Sequence, residues 1–138
     1  MKIKDVMEWI QIADDDLYSA KTLNESVRRP YEIICYHCAQ ATEKYLKGYL
    51  AYNNITPQKT HNLLFLHELC VGNEKSFDLI RTECSLLNRF TNEIRYPHRI
   101  DIREEDVRYS ISAVERIRDL EPIKILRDII EKENNSKQ

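Results

Sequence analysis

The segment Y-H-C-A-Q-A-T-E-K-Y-L-K, residues 36–47, decides the fold that we expect for this chain. Its apolar residues recur with the 3.6-residue period of an α-helix. Polar side chains that follow one another at steps of three and four share roughly one helical face; they are His37, Gln40, Lys44 and Lys47. A neighbouring stripe suits close helix packing and contains Ala41, Tyr45, Gly48 and Tyr49. A polar row beside a packing seam is typical neither of a core nor of a solvated face, so it is a candidate site.

The composition of the whole chain favours a few long helices. Only two of the 138 residues are glycine and four are proline, far below average usage, so few tight turns are available. A chain of this length predicts one domain. Charged residues make up 32% with a net charge of −2. That balance argues against general nucleic-acid binding but leaves room for a local basic patch.

Membrane, secretion and metal signals are weak. No apolar run approaches the roughly 20 residues of a membrane span, and the start M-K-I-K-D-V-M-E-W is too acidic for a secretion signal. We therefore expect a cytoplasmic protein with reduced cysteines and no membrane contact. Cys35 and Cys38 form a C-x-x-C pair, but zinc needs four ligands. We expect packing thiols, no metal and no cofactor.

Hydrophobic periodicity predicts five helices and a C-terminal extension. The predicted helices cover residues 4–26, 31–52, 62–70, 74–94 and 103–120. Pro122 ends or kinks the fifth, and an amphipathic pattern continues to Lys132. The expected fold class is all-α, an up-and-down four- or five-helix bundle with a short connecting helix and an extra C-terminal helix. One domain covers residues 1–133, and residues 134–138 form a disordered tail.

A second candidate site lies between the last two long helices, where arginines surround a proline. The residues are Arg89, Arg95, Tyr96, His98, Arg99 and Arg103. Guanidinium groups bind phosphate or carboxylate bidentately, and His98 could transfer a proton near neutral pH. The alternative is a solvated helix end whose arginines pair with Asp101, Glu104 and Glu105.

Two other histidines and an acidic run have plainer interpretations. His61 follows a plausible helix cap at Thr60 and more often braces a helix start than it catalyses. His67 lies beside Glu68 in a short helix, where we expect it on the surface. The three aspartates at 14–16 could hold Mg²⁺, but successive helical residues face different directions, so a solvated face is favoured.

Four pieces of the chain resemble, in order, the HEPN family (higher eukaryotes and prokaryotes nucleotide-binding). The most specific is Tyr36-His37-x-x-Gln40-Ala41-x-Glu43-Lys44-x-Leu46-Lys47. The others are Trp9-x-x-x-Ala13-x-x-Asp16-Leu17-x-x-Ala20, Thr60-His61-x-Leu63-x-x-Leu66 and Arg95-Tyr96-Pro97. The resemblance covers about residues 9–118. It implies a helical bundle that is usually dimeric and often encoded beside a minimal nucleotidyltransferase.

The resemblance implies a nucleotide-binding protein with little or no catalysis. It would be the substrate-binding or toxin-like half of a pair with a minimal nucleotidyltransferase. The candidate nucleotide or RNA contacts, in order, are Arg95, Tyr96 and His98, then His37, Gln40 and Lys44, then His61. One alternative is a metal-independent ribonuclease toxin of a toxin–antitoxin pair, with Arg95 and His98 as catalytic residues; another is a structural dimerisation module. The family's ribonuclease branch separates its Arg and His by four to six residues, whereas here the gap is two.

Assembly can also be inferred from the residues. The predicted helices have broad apolar faces, and the chain has eight tyrosines, more than a core of this size readily hides with satisfied hydroxyls. We therefore expect a homodimer that buries more than roughly 1,000 Å² in total.

Overall fold

Helices make up every regular element of the part of the chain that the structure describes, a computed structural model of residues 2–56, 59–91 and 101–136. In chain order they are α1 (Ile3–Asn24), α2 (Tyr31–Tyr52), α3 (Leu63–Asn73), a 3₁₀-helix (Lys75–Ile80), α4 (Arg81–Asn88), α5 (Glu104–Asp119) and α6 (Glu121–Ser136). The predicted all-α helical bundle is confirmed. None of the described helices is long and apolar enough to cross a membrane.

Helix α2 is the centre of the bundle and packs against α1, α3, α4, α5 and α6. It is apolar on more than one face, and 13 of its 22 residues are buried, as expected for a helix surrounded by others. Its closest neighbour is α1, whose buried residues recur at steps of three and four. Gly48 permits this approach, because a Cβ there would lie 2.8 Å from Cδ1 of Ile10.

The start of α3 is capped by Asn62 rather than by Thr60. The Asn62 side-chain oxygen accepts hydrogen bonds from the backbone N–H groups of Leu64 and Phe65, at 3.0 and 3.3 Å. Thr60 instead accepts from the backbone N–H of Asn62, at 3.1 Å. The expected cap was therefore wrong by two residues, since the Thr60 hydroxyl is used one step earlier in the loop.

The predicted helix over residues 74–94 is wrong at both ends. Its first part is a 3₁₀-helix, and α4, which follows, already ends at Asn88. The Glu74 carboxylate accepts from the backbone N–H of Ser76 at 2.9 Å, a local bond that competes with α-helical hydrogen bonding. With three residues per turn, Phe77 and Ile80 lie on one side of the 3₁₀-helix, and both are buried. Residues 92–100 lie outside the described residues.

The chain bends between α5 and α6 at Leu120, whose backbone is extended with ψ near 137°. Pro122 follows in the first turn of α6, where a missing N–H is tolerated. Helix α6 continues through Ser136, three residues into the segment 134–138 that we expect to be a tail, and residues 137 and 138 lie outside the described residues. Local backbone bonds continue the helix although its residues beyond Ile130 are not buried.

Candidate functional site

A buried carboxylate is the centre of the polar row on α2. Glu43 is only 2% exposed, and its Oε2 accepts from the Nζ atoms of Lys44 and Lys47 at 3.0 and 3.1 Å. Its Oε1 lies 2.7 Å from Nδ1 of His61, in the loop before α3. Both carboxylate oxygens are therefore used. We call Glu43, Lys44, Lys47 and His61 the Glu43 cluster.

The Glu43 cluster carries surplus positive charge. Burial alone would raise the pKa of Glu43, but the hydrogen bond from His61 and the ammonium groups of Lys44 and Lys47 outweigh it, so this pKa lies below its usual value. One carboxylate thus faces two lysines, which are 16% and 7% exposed. The Lys47 ammonium also lies 5.5 Å from the centre of the Trp9 ring, within cation–π range.

The geometry of His61 fixes which of its nitrogens is free. A carboxylate accepts hydrogen bonds, so Nδ1 of His61 donates to Glu43. In the neutral ring Nε2 is then an acceptor, and in the protonated ring both nitrogens donate. The side chain is 58% exposed, so it connects the buried carboxylate with the protein surface.

A polar groove of about 520 Å³ opens beside His61. Its lining consists of Lys59, Thr60, His61, Asn62, Asn88, Arg89 and Thr91. No carboxylate and no aromatic ring other than the imidazole is among these described lining residues. Arg89 is 48% exposed, and its Nη1 lies 3.6 Å from Oδ1 of Asp106. We call this the His61 groove; its lining carries two fixed positive charges and an imidazole.

The structure brings together part of the predicted site. Gln40 accepts from Lys44 Nζ at 2.9 Å, so Gln40, Lys44 and His61 meet around Glu43 as one site. His37 does not join them, because its Nδ1 lies 3.1 Å from Oδ1 of Asp16 on α1. The three residues ranked first, Arg95, Tyr96 and His98, lie outside the described residues.

Sequence reasoning missed the roles of three residues. Glu43 stands four residues before Lys47, the orientation in which a helical Glu–Lys pair attracts best, and this signal could have identified it. Asn62 also carried a signal, since Asn directly before a helix is a preferred N-cap. Asn88 carried none, because its side chain reaches the start of α3 across 25 residues of sequence.

His67 was wrongly expected on the surface. Its side chain is fully buried, and Nε2 lies 2.7 Å from the backbone oxygen of Phe77 in the 3₁₀-helix. The imidazole therefore bridges α3 and the element that follows it. Nδ1 of His67 is buried without a hydrogen-bond partner in the described structure.

The four cysteines are free and buried. Burial raises the pKa of Cys35 to about 11, despite a hydrogen bond from Ser110, and burial raises that of Cys84 to about 12. Burial also raises the pKa values of the Cys38 and Cys70 thiols. The thiols stay protonated at neutral pH. The described residues contain no group of three or more His, Cys, Asp and Glu side chains that could hold a metal ion.

Comparisons with known proteins agree on the fold. The family model of the HEPN domain matches residues 6–126. The crystal structure of an archaeal HEPN homologue is similar, with a TM-score of 0.63 and 22% sequence identity. That match covers 94% of this chain and 98% of the homologue. A search of curated proteins gives no match to this sequence.

Proposed function

This chain belongs to the HEPN domain family, and we propose that it binds nucleotides through their phosphate groups in the His61 groove. The observation that carries the proposal is the charge of this groove. Lys59 and Arg89 line it, His61 adds an imidazole, and none of its described lining residues is a carboxylate. Phosphate groups form charge-assisted hydrogen bonds with such cations.

The Glu43 cluster supports an anion in the groove. Two poorly exposed ammonium groups share one carboxylate, and a desolvated positive charge attracts an anion more strongly than a solvated one. His61 connects the cluster with the groove, because its Nδ1 is held by Glu43 while its exposed ring lines the groove.

The test compares two arginines by calorimetric titration with a nucleotide panel. Arg89→Ala removes a cation that lines the groove and should weaken nucleotide binding about 10- to 100-fold, as expected for a lost charge-assisted contact. Arg108→Ala is the matched control, because Arg108 is an exposed arginine of α5 outside the groove lining. Equal affinities of both variants and the wild type would contradict the proposal, as would a wild type that binds no nucleotide.

The arginine-rich segment remains part of the proposal. Arg95, Tyr96 and His98 follow Thr91, the last described residue before that segment and a lining residue of the groove. We propose that Arg95 also contacts phosphate, so Arg95→Ala should weaken binding about tenfold or more while the melting temperature stays within a few degrees. A large loss of stability with unchanged binding would make Arg95 a folding residue.

We further propose that the protein is a homodimer and the partner of a minimal nucleotidyltransferase, as the substrate-binding or toxin-like half of the pair. The family supports this expectation. Exposed apolar side chains also support an assembly, since Tyr18 and Leu79 are 72% and 77% exposed. Light scattering at micromolar concentration should give twice the chain mass, and the mass of one chain would contradict the dimer.

Metal-independent RNA cleavage is a second candidate function, favoured by the Glu43–His61 pair. A carboxylate that holds Nδ1 leaves Nε2 of His61 free to take a proton from a ribose 2′-hydroxyl. Single-stranded RNA incubated in EDTA should then be cleaved by the wild type and by Arg108→Ala but not by His61→Gln. The pair expected from sequence, Arg95 and His98, stays a proposal because it lies outside the described residues.

A further inference from the structure

We propose that two asparagine side chains, Asn62 and Asn88, make the His61 groove select phosphate groups without regard to the base. Their oxygens are turned towards α3, so their amino groups are left as hydrogen-bond donors for the groove. This inference rests on the proposed function and specifies which part of a nucleotide the groove reads.

The orientation of Asn88 is fixed by a backbone group. Its Oδ1 accepts from the backbone N–H of Leu63, the first residue of α3, at 2.9 Å. An N–H can only donate, so the atom that faces it is the side-chain oxygen and not the nitrogen. The Asn88 amino group is on the other branch of the planar amide, and Asn88 lines the groove.

Asn62 is oriented in the same way by two backbone groups. Its Oδ1 accepts from Leu64 and Phe65 as the cap of α3, which again leaves the amino group as the free branch. Within the described residues, no acceptor contacts Nδ2 of Asn62 or Asn88. The first amides of α3 are therefore occupied by asparagine oxygens, so the helix start itself offers no free N–H to a ligand.

The groove thus presents mainly donors, and its acceptors are the threonine hydroxyls and Nε2 of a neutral His61. Lys59, Arg89 and the two amino groups only donate, and Thr60 and Thr91 add hydroxyls. Phosphate oxygens only accept, whereas the bases expose both donors and acceptors. No Phe, Tyr or Trp on which a base could stack is among the described lining residues. A polyphosphate chain matches this lining, and the base contributes little to the affinity.

Isosteric substitutions test the role of the amino groups. Asn62→Asp and Asn88→Asp each keep the oxygen that accepts from α3, and Asp caps a helix about as well as Asn, so the fold is preserved. Each replaces a donor that faces the groove with a negatively charged acceptor. Asn24→Asp is the matched control for charge, because the Asn24 oxygen accepts from Arg29 at 3.1 and 2.7 Å and lies outside the groove lining.

The probes are inorganic triphosphate, ATP, UTP and adenosine, titrated into the four proteins by calorimetry with melting curves in parallel. Wild type and Asn24→Asp should bind triphosphate, ATP and UTP within about threefold of one another and should not bind adenosine. Asn62→Asp and Asn88→Asp should bind all three phosphate compounds with an affinity lower by about tenfold or more, and their melting temperatures should be unchanged.

Three results distinguish failure of the inference from failure of the proposed function. A wild type that binds no phosphate compound would contradict the proposed function itself. The second result is that Asn62→Asp and Asn88→Asp weaken ATP and UTP binding no more than Asn24→Asp does. That result would leave the proposed nucleotide binding intact and overturn the role of the amides. Binding of adenosine, or a preference of more than about tenfold between ATP and UTP, would overturn recognition by phosphate alone.

Discussion

Helix α2 contributes one residue to each of two carboxylate–histidine pairs, which are chemically alike but differ in their surroundings. At one, His37 on α2 faces Asp16 on α1 at 3.1 Å, with side-chain exposures of 27% and 20%. At the other, Glu43 on α2 faces His61 at 2.7 Å and is 2% exposed. Glu43 also binds two lysines, whereas His37 is the one ion-pair partner of Asp16 within the described residues.

The difference shows that the groups around a carboxylate–histidine pair decide its role more than the pair itself does. The His37–Asp16 contact ties two helices together at a partly solvated position, where an ion pair contributes little. The Glu43 cluster is desolvated and has two positive charges for each negative one, so each member depends on the others. The histidine of this second pair, His61, lines a groove.

Neutralising each carboxylate in turn should give the largest difference in unfolding free energy between the two pairs. Glu43→Gln leaves Lys47, which is 7% exposed, buried without a counter-charge, and should cost about 3–5 kcal/mol of unfolding free energy. Asp16→Asn, a change of the same chemical kind, should cost less than about 1 kcal/mol. Urea denaturation of both variants measures this. Similar losses would show that burial does not separate the two pairs.

Acid should remove part of the stability that Glu43 supplies. Despite burial, the hydrogen bond from His61 and the neighbouring lysines hold the folded pKa of Glu43 below its usual value of 4.5. Its contribution to stability is therefore present above pH 4.5 and is lost as pH falls through the folded pKa. The wild type should therefore lose more unfolding free energy between neutral pH and the region below 4.5 than Glu43→Gln does. Denaturation midpoints over this range check the sign, and parallel pH profiles would contradict it.

The two glycines sharpen the contrast by testing the packing that keeps Lys47 buried. A Cβ at Gly48 would lie 2.8 Å from Ile10 Cδ1 and 3.3 Å from Trp9 Cβ, whereas a Cβ at Gly72 would meet nothing within 4 Å. Gly72→Ala should stabilise by about 0.5–1 kcal/mol through helix propensity. At Gly48 the crowding outweighs that gain, so Gly48→Ala should destabilise by about 1 kcal/mol. Thermal melts compare them, and equal stabilisation would exclude a close approach of α1.

The sequence predicted those parts of the fold that depend on local patterns. The predicted helix over residues 31–52 coincides with α2, because Pro30 starts it and the asparagines at 53 and 54 follow its end. The 3₁₀-helix was missed since the apolar spacing of Phe77 and Ile80 fits either helix type. The choice depends on the bond from Ser76 to Glu74, which periodicity does not report.

The candidate site was predicted only in part, for a related reason. Helical spacing predicts that Gln40 and Lys44 share one face, and Lys44 indeed contacts both Gln40 and Glu43. Glu43 was missed because charged residues are rarely buried unless paired, and its pairing with His61 spans 18 residues of sequence. The residues ranked first, around Arg95, stay predictions.

By itself, the sequence determined the helical class, the extent of the central helix and the polar row on its surface. These follow from a 3.6-residue period and a shortage of turn formers, which act between neighbours along the chain. The tertiary structure alone decided that Glu43 is buried against His61 and that Asn88 reaches the start of α3. Those contacts join residues far apart in sequence, and helix packing sets their burial and hydrogen bonds.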